Sequence, residues 1–591
     1  MPRFYGDEVV VTALRVPRLK STVPWNTKLI TREDIERSAS IKLGDIIRSV
    51  PGVSVKANGG LSSQISARFR GANSQQVLVL LNGSRINSPS LGTFDLGDIL
   101  LTDVERIEVV KAPLSALYGA DAVGGVVNII TRRATPKPEL NISAGYGEFS
   151  TRSIAVAESG PNYFLSASSL SSAGFRANSD YTAHDLNVRL FGRAGKIDLE
   201  AGVKRYTADK GSPGSLDFLT PQARQIDKNL FYDLGLRVDN LGFKASLAQI
   251  QLDQRYVNPS WAIVSEHKTI TTNFDAQQAV TWFPAQTLVL GTEIRNDRSQ
   301  STNSGDKTQA NKAVFVQDEI DLKLARLVIG GRADLSSAYG NHFNPRVGCV
   351  FGLPRDMLLR VSWGTSFKAP TINDLYWTRT TEPGWPSGVV TTEGNPALSP
   401  ETAQSFELSL ERTINAQSTA RVSAFVNEIK DMIRWSNTSV SATDAYWTPL
   451  NVSNARIEGM EFEYERKILD RLDGFLNFTY QTAKDSNSST FLDYAPQTQF
   501  NAGLAYTGWY GLASNFVVRH VGERYADLAN TTKLPAYTVV DASLSRGFGK
   551  WTVKFDVENL FGESYAETYG FTDVYPMPGR RYNVGVSYKV R

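Results

Sequence analysis

A chain of 591 residues is longer than one ordinary soluble core organises, which leaves either several domains or one very large closed sheet. With 63 basic and 60 acidic residues the net charge is only +3, which excludes nucleic-acid binding through a strong basic excess. Tyr (23), Phe (28), Trp (10) and Gly (46) are plentiful and mean hydropathy is slightly negative, a mix that suits many amphipathic strands with aromatic anchors and fits a helical membrane protein poorly.

The chain opens Met1-Pro2-Arg3 without an apolar signal core and reads as a mature form, so export is inferred rather than seen. The longest apolar runs, Val77 to Leu81 and Val126 to Ile130, fall far short of the roughly 20 residues of a spanning helix. If the protein crosses a bilayer, only a closed barrel satisfies its backbone there. The single cysteine, Cys349, rules out an internal disulfide and a cysteine metal site, and reads as a strand residue. His184, His267, His342 and His520 are scattered without ligand spacing and read as surface or loop residues.

Residues 7 to 135 form a mixed segment. Thr31-Arg32-Glu33-Asp34-Ile35 and Ser40-Ile41-Lys42-Leu43-Gly44-Asp45-Ile46-Ile47 predict two helices, capped by Thr31 and Ser40. Pro51-Gly52 breaks the pattern, and short strands are predicted at Val53 to Val55, Val77 to Leu81, Ile107 to Val110 and Val126 to Ile130. A small α/β domain is expected here.

After Arg132-Arg133-Ala134-Thr135-Pro136-Lys137-Pro138 the period changes to two and stays so to the end. Leu140, Ile142, Ala144 and Tyr146 share one face, as do Phe406, Leu408 and Leu410, Val422, Ala424 and Val426, and the terminal Tyr582, Val584, Val586, Tyr588 and Val590. A soluble sandwich alternates too, so strand length and loop asymmetry must separate the readings. The 455 residues from 137 to 591 allow about 20 per strand at 22 strands, the number at which known barrels carry a plugged lumen. That leaves about 10 residues to cross the apolar band and as many for connections. The polar stretches 207 to 226 and 378 to 400 are expected as outer loops, and Asp239-Asn240-Leu241-Gly242 as a short inner turn. The N-terminal domain would fill the lumen.

The residues also resemble a known family. Asp7-Glu8-Val9-Val10-Val11-Thr12-Ala13 looks like a Ton box, and Phe69-Arg70-Gly71-Ala72-Asn73 and Val79-Leu80-Leu81-Asn82-Gly83 look like plug motifs. Ile107 through Gly119, then Gly124-Gly125-Val126-Val127-Asn128-Ile129-Ile130-Thr131, resemble the plug's C-terminal signature. Ser366-Phe367-Lys368-Ala369-Pro370, Gly394 through Glu401 and Val557 through Tyr565 are similar to barrel motifs of TonB-dependent outer-membrane receptors. The resemblance implies a 22-stranded antiparallel transmembrane β-barrel of the bacterial outer membrane, divided into an N-terminal coupling segment at 1–19, an α/β plug at 20–135 and the barrel at 136–591. It implies active transport driven through TonB and its inner-membrane complex, contact with outer-membrane lipid and lipopolysaccharide, and no enzymatic activity. A monomer is expected, with a surface lipoprotein cap left open.

Within the family, the N-terminal position of the Ton box, Pro51-Gly52-Val53 through Asn58-Gly59-Gly60 to Arg70-Gly71, Arg85-Ile86-Asn87 and Gly211-Ser212-Pro213-Gly214-Ser215 resemble the branch that carries cobalamin (vitamin B12) or a related corrinoid. Catecholate-siderophore receptors share many of the plug motifs, so another metal-chelate cargo stays open. By the resemblance, Asp7, Glu8, Val9, Val10, Val11, Thr12 and Ala13 couple to TonB, their β-branched residues suiting edge-strand addition. Asn58, Ser62, Ser63 and Gln64 match a first ligand loop, Ser90, Leu91 and Gly92 a second, and Tyr575 and Asn258 match barrel positions near the ligand. Ser and Gly also serve turns for their own sake. Arg70 and Arg106 are expected to pair with barrel carboxylates, Glu407 and Glu461 among the candidates, because buried charge must be paired.

Two features depart from the resemblance. Asp209, Asp217, Asp227 and Asp233 are loosely spaced where calcium would need many oxygen ligands, so no cofactor is expected, with calcium in the outer loops left open as the lesser alternative. The chain ends Tyr588-Lys589-Val590-Arg591 rather than on an aromatic residue. The rival readings are a ferric-siderophore or haem receptor of the same architecture, a passive porin or adhesin, and an outer-membrane enzyme. The histidines show no haem motif, the Ton box and plug oppose the second, and no catalytic set can be placed for the third.

Overall fold

The structure, a computed structural model, describes residues 8–283, 285–383, 388–415, 417–438, 444–570 and 573–590. Twenty-two antiparallel strands close into a barrel between Glu139–Gly147 and Arg581–Val590, which pair from Leu140↔Val590 to Gly147↔Asn583. Closure removes the sheet edges and satisfies the backbone without water, which is the condition for crossing a bilayer with strands.

The alternation seen in the sequence sorts residues in the sense a membrane requires. Along Gly305–Asp321, Ala313, Phe315, Gln317 and Glu319 point inward and are buried, while Val314 and Val316 between them are exposed. Ile142, Phe406, Leu408, Leu410, Val422, Tyr582 and Val584 are exposed on the same outer surface. So continuous an apolar face would be an aggregation hazard in water and is the lipid-facing band of a membrane-spanning barrel. Trp282, Phe283, Phe548 and Trp551 crowd the inner-turn end of their strands and are exposed, forming one aromatic girdle.

Connections at one end of the barrel are short, and all the long ones lie at the other, among short ones such as 148–150 and 302–304. Turns such as 161–162, 195–196 and 549–550 lie at the end where the plug feeds the first strand, and long loops such as 173–180, 212–223, 486–497 and 522–536 lie at the other. Asp239–Leu241 is such a short turn, closed by Gly242 at φ +67°. The expected loop 207 to 226 is shorter than the sequence suggests. Residues to Gly211 and from Arg224 continue the strands Ile197–Gly211 and Arg224–Val238, because polar alternation persists where strands rise past the membrane. Within the expected loop 378 to 400, Thr380–Pro383 pairs with Val389–Thr392, and residues 384–387 lie outside the described residues.

The plug fills the lumen with a five-stranded sheet in the order Thr27–Ile30, Val104–Val110, Gly125–Thr131, Val77–Leu81, Ser84–Arg85. Val77–Leu81 is buried along its whole length, which is why it reads as an unbroken apolar run. A separate hairpin joins Val53–Ala57 to Ile65–Phe69. The helix Arg32–Arg37 is capped by Thr31 with Asp34 in a reciprocal capping box. The second helix, Leu43–Ile46, starts later than expected and Ser40 is not its cap. Lys42 is held extended by a β-bridge to Leu100, and Leu43 donates its N–H to the Ile99 carbonyl, so the helix can begin only after Lys42.

Candidate functional site

The N-terminal segment is folded back beneath the plug. Val9–Val10 pairs antiparallel with Arg18–Leu19, and Val10, Thr12, Ala13 and Leu14 are buried, whereas Val9 is half exposed. Glu108 accepts the backbone N–H groups of Val11 and Thr12 at 2.9 and 2.8 Å and the Thr12 hydroxyl at 2.7 Å. Tyr118 donates its hydroxyl to the Thr12 carbonyl at 2.9 Å. From the barrel wall, Arg346, Gln317 and Gln277 donate to the carbonyls of Ala13, Leu14 and Arg15 at 3.2, 3.1 and 3.0 Å. Holding a segment by backbone groups fixes its path with little demand on side chains. Asp7 lies outside the described residues.

Glu108, Gln277, Gln317 and Arg346 carry this arrangement and sequence reasoning missed them. The signal for Glu108 was a carboxylate inside the apolar run Ile107 to Val110. It also corrects the expectation for Arg106, whose guanidinium binds Glu108 at 3.1 Å rather than a barrel carboxylate. Arg106 and Glu108 project from one face of Val104–Val110, two residues apart, so the nearest carboxylate is local.

Arg70 does reach the wall. Its guanidinium forks onto Glu407 at 3.0 and 3.1 Å and onto Glu461 at 3.0 Å through two nitrogens, and Lys111 joins Glu461 at 2.8 Å. All four groups are buried. The neighbouring carboxylates hold the Arg70 guanidinium firmly in its charged form against the burial penalty.

At the outer mouth, three of the expected elements come together. Ser62 and Ser63 are buried, Asn58 is half-buried and Gln64 is exposed, donating to Gln225 at 3.2 Å. The Ser63 hydroxyl donates to the Gly60 carbonyl at 2.8 Å, so here it serves the turn. Gly59 and Gly60 lie against Phe175, Pro576 and Pro578, which brings the loop under the segment bearing Tyr575; a side chain on Gly60 would meet Phe175 at 3.1 Å. Tyr575 is half-buried, its phenol pushed up by burial and opposed by the nearby Arg176. Tyr256 lies near it, beside the buried Asn258. Phe175, Arg176 and Tyr256 were missed; loop residues without a repeating pattern give no signal from sequence.

The second loop lies elsewhere. Ser90 is fully buried with its hydroxyl 2.6 Å from that of Ser299, and its carbonyl accepts from Asn373, so it faces the wall and not the mouth. Leu91 is exposed, and Gly92 adopts φ +72° against Thr371. The Lys42 ammonium donates to the Leu61 carbonyl of the first loop at 2.6 Å, and Lys56 and Arg68 lie near the Tyr494 ring, at 4.1 and 5.5 Å from its centroid. Burial, reinforced by Arg68, lowers the Lys56 ammonium to about 8.

The aspartates weighed for calcium each have a protein partner. Asp209 binds Arg224, Asp233 binds Arg189, and Asp217 accepts from Ser215. Asp227 joins Asp95 and Asp98 of the plug, with carboxylate oxygens all within 4.8 Å, but Lys210 reaches the three at 2.8, 2.9 and 2.6 Å. An ammonium takes the central place, so these residues do not fit a resident calcium ion. Burial pushes the Asp98 carboxyl up to about 7 even beside this lysine. Lys210→Ala is expected to cost about 3–5 kcal/mol of stability by leaving three carboxylates facing one another. Millimolar calcium is expected to recover part of that loss, which calorimetry with and without the ion checks.

Residues 131–560 match the family described as TonB dependent receptor-like, beta-barrel, and residues 19–126 match the TonB-dependent Receptor Plug Domain. The chain is a TonB-dependent receptor. Members of this family are outer-membrane transporters and receptors, not enzymes, and that location agrees with the barrel's apolar band. The receptor is 30% identical to the vitamin B12 transporter BtuB of Vibrio vulnificus (strain YJ016), over 99% of this chain and 95% of the relative. It is 27% identical to that of Photobacterium profundum, covering 99% and 96%. Among solved structures, a point mutant of the ferric enterobactin receptor PfeA from Pseudomonas aeruginosa superposes with a TM-score of 0.81 at 19% identity, covering 95% of this receptor and 98% of that chain. The siderophore receptor PirA of Acinetobacter baumannii gives 0.80 at 20%, covering 97% and 99%. These structural likenesses show the fold alone.

Proposed function

We propose that the receptor imports cobalamin or a related corrinoid, binding it at the outer mouth and releasing it inward when TonB engages the N-terminal segment. The observation that carries this reading is full-length relatedness at 30% identity to a protein named as a vitamin B12 transporter. The chemistry of the mouth supports it. Asn58, Ser62, Ser63, Gln64, Asn258 and Tyr575 offer neutral amides and hydroxyls, which suit the neutral amide rim of a corrinoid better than a highly charged chelate. The burial of Ser62 and Ser63 beneath the Tyr575 segment means that the outer loops must lift before both serines meet ligand. Leu91, exposed on the separate second loop, would be a contact apart from the first loop, with Ser90 and Gly92 holding its turn.

For coupling, Asp7 to Ala13 would leave their docked position and add as a strand to TonB, with Val9 already half exposed. A second reading, a ferric siderophore, is favoured by Lys56, Arg68 and Arg176 near the mouth, cations an anionic chelate would use. Equilibrium binding of cyanocobalamin to the detergent-purified receptor, followed by tryptophan fluorescence with a ferric catecholate as control, decides between them. Saturable cobalamin binding is expected, weakened about tenfold by Tyr575→Ala through loss of a buried aromatic contact. Ser63→Ala is expected to weaken it less. Binding of the catecholate alone would overturn the corrinoid reading.

A further inference from the structure

The plug does not meet the barrel wall in the same way all round. Its apolar clusters take in Leu170, Tyr181 and Tyr206, then Phe231 and Ile250, then Val289, Phe315 and Val328, then Phe425, Ile457 and Ala483, all on strands between Tyr163 and Asp485. Among the described residues, no barrel strand from Thr498 onward contributes to such a cluster, and the one apolar residue past that point that packs on the plug core is Met577, in the outer segment before the last strand. There the contacts are polar: Arg37 donates to Thr507 at 3.0 Å, Gln499 to the Val53 carbonyl at 3.1 Å, and Lys554 to the Ser38 carbonyl. Polar contacts exchange for water at little net cost, whereas apolar packing does not.

A cavity of about 490 Å³ lies between the plug helices and the wall; on this side it is lined by the strands Leu472–Asp485, Thr498–Thr507, Leu512–Val521, Tyr537–Phe548 and Trp551–Glu558, and it extends to Arg581 on the last strand and past Glu463 and Glu465 to Arg421 and Glu411 on the neighbouring wall. Its lower walls include Arg466, Asp473 and Gly474, beside the inner turn at 470–471, so it reaches the periplasmic end. Its upper end is formed by Arg48, Arg519 and Tyr565. The same three residues line a second, small cavity of about 30 Å³ that continues to Lys56, Tyr494 and Arg524 near the mouth. They therefore separate an inner space from an outer one. They are tied in place: Arg48 pairs with Glu567 of the outer loop, Tyr537 donates to Glu567 at 3.2 Å and stacks on Tyr565 at 4.3 Å, and Arg519 pairs with Asp541 at 2.6 Å.

We propose that cargo passes along this wall, between the plug helices and the strands from Thr498 to Glu558, and that the Arg48–Glu567 pair with Tyr565 is the constriction that keeps the two spaces apart. Arg48 belongs to the plug and Glu567 to an outer loop, so the constriction parts when either moves. Displacing the plug from the strands after Thr498 breaks hydrogen bonds and ion pairs but leaves the apolar seam along the strands from Tyr163 to Asp485 in place, so that seam acts as a hinge. The proposal rests on the transport activity of the family and not on which cargo is carried.

Conductance in a planar lipid bilayer in potassium chloride tests it without any cargo. Arg48→Ala/Tyr565→Ala/Glu567→Ala is expected to raise steady ion current at least about tenfold over the parent by joining the two spaces. Lys204→Met/Asp103→Asn, which removes a plug-to-wall pair of 2.7 Å on the other side, is expected to leave the current unchanged. A leak in the second variant and none in the first would overturn the proposal. A second measurement leaves the constriction intact. In a Cys349→Ala background, Ser49→Cys/Asn477→Cys on the cavity side and Asp103→Cys/Asn187→Cys on the opposite side are each joined by a short, reducible bis-thiol linker. The cavity-side link is expected to stop uptake of radiolabelled cyanocobalamin until reductant is added, and the opposite link to permit it. Uptake stopped by both links, or by the opposite one alone, would overturn the path. Binding of the same probe to the linked proteins separates the two failures: absence of binding in every form counts against the corrinoid reading, and the conductance result then decides the path.

Discussion

A receptor carrying Val10→Pro is expected to bind cargo with unchanged affinity and to import it about a hundredfold more slowly, because strand addition to TonB depends on a backbone donor that proline lacks. Val10 stands opposite Arg18 in the docked hairpin and is buried, so the same change also loosens the resting position of the segment. Loosening alone would favour coupling by freeing Thr12 from Glu108. The two effects therefore oppose each other, and the loss of the donor wins if backbone pairing is the coupling contact. Val10→Ala separates the alternatives, since it keeps the N–H and removes most of the side chain. It is expected to retain at least about half of the uptake rate, as strand addition draws its affinity from the main chain. Energy-dependent uptake in cells, with binding to isolated outer membranes as the control, gives both numbers. Equal loss in both variants would mean that the side chain, and not the backbone, is recognised.

The barrel was readable because its physics repeats. A period of two with apolar residues on one face, carried over about 450 residues and interrupted by polar stretches whose long members fall at alternate connections, admits few structures other than a closed membrane sheet. The Thr31 cap was readable because its capping box is local, with Asp34 three residues away. What failed was non-local or competed with local structure. Ser40 had the right chemistry for a cap, but a tertiary bridge from Lys42 to Leu100 set the start of the helix instead. Arg106 met the requirement that a plug arginine be paired, yet a carboxylate on its own strand was closer than any on the wall. Ser90 resembled a ligand-facing hydroxyl, and only the register of the barrel against the plug reveals that it faces Ser299. The place of Lys210 among three aspartates was equally hidden, because Asp95 and Asp98 belong to the plug and meet it only after the plug has docked.

Arg70→Ala is expected to weaken docking of the plug by about 3–5 kcal/mol, the range for stripping one partner from a buried ion network. The magnitude comes less from the attraction lost than from Glu407, which keeps its burial and loses the guanidinium that forks onto it; Glu461 still has Lys111 at 2.8 Å. That asymmetry yields a sharper test than the single change. Arg70→Ala/Glu407→Gln removes the stranded charge and is expected to recover a large part of the loss, whereas Arg70→Ala/Glu461→Gln leaves Glu407 stranded and recovers little. Arg70→Lys is expected to fall between, because an ammonium supplies the charge but cannot fork onto two carboxylates at once. Geometry reinforces the network: Gly52 adopts φ +69°, and a side chain there would strike the Glu461 carboxylate, so only glycine lets the wall carboxylate come this close to the plug backbone. Amide hydrogen exchange at Val77–Leu81 and Gly125–Thr131, the buried plug strands, reports the docking free energy directly. Unchanged exchange in Arg70→Ala would mean that the apolar seam alone retains the plug, and that the buried charges serve only to set its register against the wall.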